Sequence, residues 1–187
     1  MTEETRIHLA RSAGGREGLV FVGCLEDAVP AGVASQSDLA DAVGRAAGRS
    51  GWSGKRGQRS EAETSAGRNR LVILHGLGSA DGFDGDGLER WVRRLAGELG
   101  ARGAASALLI PPDHQALASD GGAEAFLRWL SLIDYRFTEF RSKEAKRTPI
   151  GSLTILPPTG SESAFRRMRP VAEATAKGVR LSCDLGN

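Results

Sequence analysis

Arg70-Leu71-Val72-Ile73-Leu74-His75-Gly76-Leu77-Gly78 is the stretch on which the architecture turns. Leu71 to Leu74 is an unbroken apolar run entered from the polar Arg68, Asn69 and Arg70. Such a run suits a strand covered on both faces, as in the parallel part of an α/β sheet. His75-Gly76-Leu77-Gly78 stops it, and Ser79 to Gly87 forms a polar turn rich in aspartate and glycine. Leu88, Trp91, Val92, Leu95 and Leu99 then fall three or four residues apart, the single apolar stripe of an amphipathic helix. Strand, glycine turn and helix are half of a βαβ unit.

Outward from there, Arg6 to Ala10 alternates polar and apolar residues like an exposed or edge strand, and Leu19 to Gly23 reads as a buried strand. Glu26 to Gln36 is loop. Ser37 or Asp38 is expected to cap a helix through Leu39, Ala42, Val43 and Ala46, with Gly48 just past its end. Arg49 to Asn69 is hardest to read. Trp52 is its one large apolar group, expected to anchor the loop, and Gly57 to Thr64 is a candidate edge strand that lacks β-branched support before Thr64.

Downstream, Ala105 to Ile110 is a further buried strand stopped by Pro111-Pro112, and Asp113 to Gly122 reads as loop. Ala123 to Ile133 reads as a helix with Phe126, Leu127, Leu130 and Ile133 on one face. Tyr135 to Phe140 alternates like an extended segment, and Arg141 to Pro149 is a charged loop. Gly151 to Leu156 is the last strand, before Pro157-Pro158. From Ser161 on, Phe165, Met168, Ala172, Thr175, Val179 and Ser182 mark one long helix, weakened by Gly178. Strands alternating with helices predict one α/β domain over residues 1–187: three α/β/α layers around a mixed, mostly parallel sheet.

The composition excludes several classes. With 187 residues, 40% hydrophobic and 26% charged, the chain can bury one full core. A net charge of +2 argues against a polycation seeking nucleic acid. No run approaches the ~20 apolar residues that span a bilayer. The acidic start Met1-Thr2-Glu3-Glu4 lacks a signal peptide's apolar core. Cys24 and Cys183 lack metal-ligand spacing and read as reduced, mostly buried thiols, so a cytoplasmic protein is expected.

No catalytic constellation emerges. His8, His75 and His114 lie far apart, and none has a second ligand at i+2 to i+4. Asp81, Asp84 and Asp86 interleave with glycines, but their spacing is not that of a calcium loop, and Asp86 suits a helix start. No Walker loop, dinucleotide fingerprint or Gly-x-Ser-x-Gly elbow occurs. The remaining ligand-loop candidates are His75, Gly76, Gly78 and Ser79, at a strand end where α/β domains place anions. Three basic clusters, Lys55-Arg56-Arg59, Arg141-Lys143-Lys146-Arg147 and Arg166-Arg167-Arg169, could meet phosphates only if the fold gathers them.

The order of segments resembles the N-terminal, non-catalytic domain of the leucyl (cytosol) aminopeptidase family. Three places carry the likeness. Arg70 to Gly78 is similar to the family's strand ending in a Val/Leu-Gly-Leu-Gly turn. Tyr135 to Lys143 is similar to its Tyr-x-Phe-x-x-Tyr-Lys segment, with Phe140 and Arg141 substituted. Ala174 to Asn187 is similar to the helix ending in Ala-Arg-Asp-Leu-x-Asn, with Ser182 and Cys183 standing for Ala and Arg.

The resemblance implies a macro-domain-like fold, with residues 161–187 as a connector helix to a peptidase domain. It implies a domain that packs beside the catalytic half and helps shape a hexamer. The family's two divalent metals, its catalytic lysine and arginine, and its Asn-Thr-Asp-Ala-Glu-Gly-Arg signature belong to that second domain. No catalytic or metal-ligating residue and no cofactor is therefore expected in this chain. The expected partner is an aminopeptidase catalytic domain, in cis or in trans, with weak self-association at most. Leu181 and Leu185 fall off the helix's main apolar face and should be exposed, frayed or paired with another copy, with the last turn poorly held. The alternatives are a free-standing module for an ADP-ribose-type nucleotide at the glycine loop, or contact with nucleic acid through the basic clusters.

Overall fold

The computed structural model describes residues 5–13, 17–65, 69–135 and 150–185. The chain runs β1 (Arg6–Leu9), β2 (Leu19–Cys24), a 3-10 turn (Ala31–Ser35), α1 (Ser37–Ala47), β3 (Arg59–Glu63), β4 (Leu71–Gly76), α2 (Gly85–Arg102) and β5 (Ser106–Ile110). It continues with α3 (Gln115–Ala118), α4 (Asp120–Ser131), β6 (Ser152–Ile155) and α5 (Glu162–Leu185). The six strands form one sheet in the order β1-β6-β5-β2-β4-β3. Every neighbouring pair is parallel except β3 with β4. The sheet is the expected mixed, mostly parallel one.

The apolar runs occupy its middle. Every residue of β2 is buried, as are Val72 to Gly76 of β4 and Ala107 to Ile110 of β5, because helices cover both faces. Phe21, Ile73, Leu109 and Ile155 point to one face, where they pack against α2, α4 and α5. Val20, Val22, Leu74 and Ile110 point to the other, against α1. The α2 stripe Leu88, Trp91, Val92, Leu95 and Leu99 is wholly buried, worth about 1.5–3 kcal/mol for each large side chain.

The polar edge strand β3 forms without β-branched residues because both its faces find partners. Ser60 Oγ donates to the Ala46 carbonyl of α1 at 2.7 Å. On the opposite face Arg59 pairs with Glu98 at 3.2 Å, and Arg102 with Glu61 at 3.3 Å, both reaching α2. Trp52, half-buried against the α1-side core, anchors the preceding loop as expected.

Several sequence expectations change. The segment Asp113 to Gly122 is not all loop: His114 Nδ1 accepts from Ala116 N at 3.1 Å and starts α3, and Ser119 Oγ accepts from Gly122 N at 3.1 Å and starts α4. Gly122 disguised that start, yet a Cβ there would sit 1.7 Å from the Ala116 carbonyl oxygen. Gln36 stands at the N-cap of α1 in place of Ser37 or Asp38; its side chain makes no capping bond and instead accepts from Arg70 at 3.3 Å through Oε1. In α5 Ala176 is buried where Thr175 and Ser182 are exposed, since the core face follows Phe165, Ala172 and Ala176. The segments read over 136–149 lie outside the described residues.

The two thiols also differ from each other. Cys24 is buried on β2, and burial pushes its thiol up to about 12. Cys183 lies exposed on the last turn of α5 rather than buried. Native protein should therefore release one equivalent of chromophore from Ellman's reagent, from Cys183, with Cys24 reacting only after unfolding. Two fast equivalents would contradict this assignment.

Candidate functional site

The glycine loop after β4 was the sequence's best site, and its geometry is specific. His75 is fully buried at the strand end. Its Nδ1 accepts the Trp91 Nε1–H at 3.0 Å, and its Nε2 lies 2.9 Å from Glu98 Oε1. Indole N–H is a donor only, so Nδ1 carries no proton and Nε2–H donates to the carboxylate. Glu98 in turn meets Arg59 at 3.2 Å and Arg94 at 3.5 Å. Trp91, His75, Glu98 and the two arginines form one chain of polar contacts from core to surface.

Burial pushes the Glu98 carboxyl up, but the hydrogen bonds from His75 and Arg59 and the Arg59 charge outweigh it and hold it at about 2. Burial lowers His75 from its usual 6.5, and the charges of Arg94 and Arg59 oppose protonation further, against the pull of Glu98. The two shifts act in the same direction. Each group binds fewer protons in the folded state than in the unfolded one, so both contributions are present at neutral pH. His75's is lost as pH falls below 6.5, and Glu98's between about 4.5 and 2. Glu98→Gln should lower stability at pH 7 and flatten its pH dependence between pH 4.5 and 2, measured by urea unfolding at each pH. An unchanged slope would remove Glu98 from this role.

The remaining loop candidates are locked into the chain. Gly76 N donates to the Gln58 carbonyl at 2.9 Å, Leu77 N to Cys24 at 2.9 Å, and Gly78 N to Gly54 at 3.0 Å. Gly76 O accepts from Gly57 N and Gly78 O from Glu26 N. No amide of Gly76, Leu77 or Gly78 is left to hold an anion. Ser79 is exposed, and α2 begins only at Gly85, where Asp84 Oδ1 accepts from Gly87 N at 2.9 Å and Asp86 sits in the first turn. Both carboxylates favour the helix dipole and disfavour a second anion there.

The partner of this loop was missed in the sequence. Gln58 Oε1 accepts from Ser53 N and Lys55 N, both at 3.0 Å, and its Nε2 donates to Gly51 O at 2.8 Å, which shapes residues 51–58 into the cradle beneath Gly76. Glu98 left a usable signal, because it stands seven residues after Trp91 on the same helix face. Gln58 left none.

The crevice at the carboxyl ends of β2 and β5, where open α/β sheets commonly hold ligands, is filled. A Cβ on Gly23 would come 3.0 Å from both Leu77 Cδ1 and Trp91 Cζ2 and 3.1 Å from Pro112 Cδ. A hollow of about 140 Å³ remains over Gly76 and Leu77, edged by Arg56, Arg90 and Arg94. Among the described residues no three His, Cys, Asp or Glu side chains converge as a metal site, and no helix is long and apolar enough to cross a membrane. The described basic clusters stay apart: Lys55-Arg56-Arg59 lies at the β3 edge and Arg166-Arg167-Arg169 on α5, which borders β1 at the other edge. Arg141 to Arg147 lies outside the described residues.

A mostly parallel α/β domain with its switch-point crevice packed shut, and its polar network spent on architecture, is the class that fold and site define. The chain belongs to the cytosol aminopeptidase family: residues 20–144 match that family's N-terminal domain. It is 30% identical over 122 residues to a probable cytosol aminopeptidase of Pseudomonas syringae pv. tomato, covering 62% of this chain and 24% of that protein. The chain thus spans about a quarter of the length of that curated relative. Among solved structures, a tomato leucine aminopeptidase mutant superposes with a TM-score of 0.68 at 23% identity, covering 95% of this chain and 37% of the other. The bottromycin maturation enzyme BotP, in complex with Mn, gives 0.59 at 23% identity over 91% of this chain and 32% of the other. These two likenesses speak to the fold.

Proposed function

We propose that the chain is a non-catalytic, structural module of a metal-dependent aminopeptidase, a cytoplasmic domain that docks on the catalytic half through α5 and helps shape an oligomer. One observation carries this reading. Val171, Ala174, Gly178, Leu181 and Leu185 follow one another at heptad spacing along the side of α5 turned from the core. All five are exposed, Leu181 at 59% and Leu185 at 77%. The last turn is nonetheless tied down, since Tyr135 Oη donates to Asp184 Oδ1 at 2.7 Å. A held helix with a bare apolar row suits a surface awaiting a neighbouring domain. The two divalent metals belong, in this reading, to that neighbour.

The nucleotide alternative is weaker: Arg56, Arg90 and Arg94 edge the hollow over Gly76 and Leu77, but the loop amides that would hold a phosphate are already engaged. The test is twofold. The chain with zinc or manganese should leave leucine p-nitroanilide unhydrolysed, and chelator-sensitive turnover would overturn the non-catalytic role. Leu181→Glu with Leu185→Glu should keep the melting temperature while abolishing association with the catalytic portion of a relative, read by calorimetry. Undiminished association would remove α5 as the docking face.

A further inference from the structure

β1 is an edge strand, and among the described residues no strand pairs with its outer side. Arg6 N and Ala10 N donate inward, to Gly151 O at 3.0 Å and Ile155 O at 2.8 Å. Strand alternation therefore turns the N–H and C=O of Ile7 and Leu9 outward. Natural edges are blunted by short length, charged side chains, proline, a bulge or a cover; β1 is short and carries Arg6, but it has neither proline nor bulge. This one faces a groove. Two adjoining hollows of about 380 and 390 Å³ run between β1 and α5 and share Arg169.

The groove is electrostatically one-sided. Among the described residues, Arg6, Arg11, Arg166, Arg169, Lys177 and Arg180 line it, against Glu162 and Glu173. Arg169 spends part of its charge on Glu173 at 3.7 Å, and Arg180 donates to the Ser131 carbonyl. The surplus is still positive in a chain whose net charge is only +2. This α5 face is distinct from the Val171–Leu185 row, so both can be occupied at once.

We infer that the outer edge of β1 accepts an extended acidic peptide segment as an added strand, its backbone bonded to Ile7 and Leu9 and its carboxylates held by Arg169, Lys177 and Arg180. Strand addition draws affinity from main-chain bonds and specificity from side chains flanking the edge. Duplex nucleic acid also seeks positive charge, but it presents no backbone N–H and C=O ladder to an open strand. The edge therefore favours the peptide.

The test uses the 187-residue chain and a fluorescent eight-residue peptide of alternating glutamate and valine, at low salt. Binding should weaken at least tenfold when glutamate is replaced by lysine, and should fall with rising salt. Methylating one alternate set of peptide amides should also weaken it at least tenfold, while methylating the other set changes it less than threefold. Arg169→Glu with Lys177→Glu should abolish binding at an unchanged melting temperature; if that variant does not fold, the methylated pair alone decides. No binding at millimolar peptide, equal effects of the two methylated sets, or tighter binding of duplex DNA that displaces the peptide would each overturn the inference.

Discussion

Trp91→Ala should lower the melting temperature by about 10–20 °C, the largest effect of any single side-chain truncation in the molecule. Three separate interactions end at this residue. Its ring stacks on Phe126 with centroids 5.7 Å apart and planes 7° from parallel, and Phe126 continues edge-on to Phe165 of α5. Its edge packs against Gly23, closing the crevice between β2 and β5. Its indole N–H satisfies the buried Nδ1 of His75. Truncation leaves a cavity costing about 3–5 kcal/mol. The orphaned imidazole nitrogen adds about 1–3 kcal/mol. Against a typical stability of about 5–15 kcal/mol, little margin remains. Trp91→Phe keeps most of the packing and should show mainly the hydrogen-bond part. Thermal melts by circular dichroism check both, and a shift of only a few degrees for the alanine variant would refute this account.

Gly76→Ala is the second large effect, although it adds a single methyl group. The methyl would lie 2.1 Å from the Lys55 carbonyl oxygen and 2.9 Å from Gly54 C and O. Backbone on that side cannot swing away without breaking the Gly57–Gly76, Gly76–Gln58 and Gly78–Gly54 hydrogen bonds. We expect a loss of about 3 kcal/mol or more, at the upper end of overpacking effects. Gly178→Ala is the matching control. It sits exposed inside α5 with nothing within 4 Å of an added Cβ, and should stabilise by about 0.5–1 kcal/mol. Denaturant midpoints of the two variants should move in opposite directions. A neutral Gly76→Ala would mean the loop around Lys55 yields freely.

The legible parts of the fold were those whose burial is set by their own sequence. Val20 to Cys24, Val72 to Leu74 and Ala107 to Ile110 read as central strands because both faces are covered, which leaves an unbroken apolar run. The α2 stripe was legible for the same reason. β3 was legible only as a candidate edge strand within Gly57 to Thr64, because Ser60, Arg59 and Glu61 are stabilised by Ala46, Glu98 and Arg102, which lie far away in sequence. The site was less legible still. Whether Gly76, Leu77 and Gly78 offer amides to a ligand depends on where Gly54, Gln58 and Cys24 carry their carbonyls, and no local pattern encodes that. Glycine is ambiguous by itself: at Gly122 it disguised a helix start, and at Gly76 close backbone approach is reason enough for it.

The pairing of β1 with β6 ties the beginning of the chain to its last strand, Arg6 meeting Ser152 and Leu9 meeting Ile155. During synthesis, β2, β4 and β5 can assemble with α1 and α2 while β1 still lacks β6, the strand it pairs with. Until β6 leaves the ribosome, the flank of β5 that pairs with Ser152 to Ile155 is an open edge beside a fully apolar run. Such long-range closure slows folding and lengthens the exposure of that edge. A ribosome stalled before residue 150 would therefore hold a nascent chain with an adhesive flank, and the release of β6 is the moment at which that flank of β5 is covered.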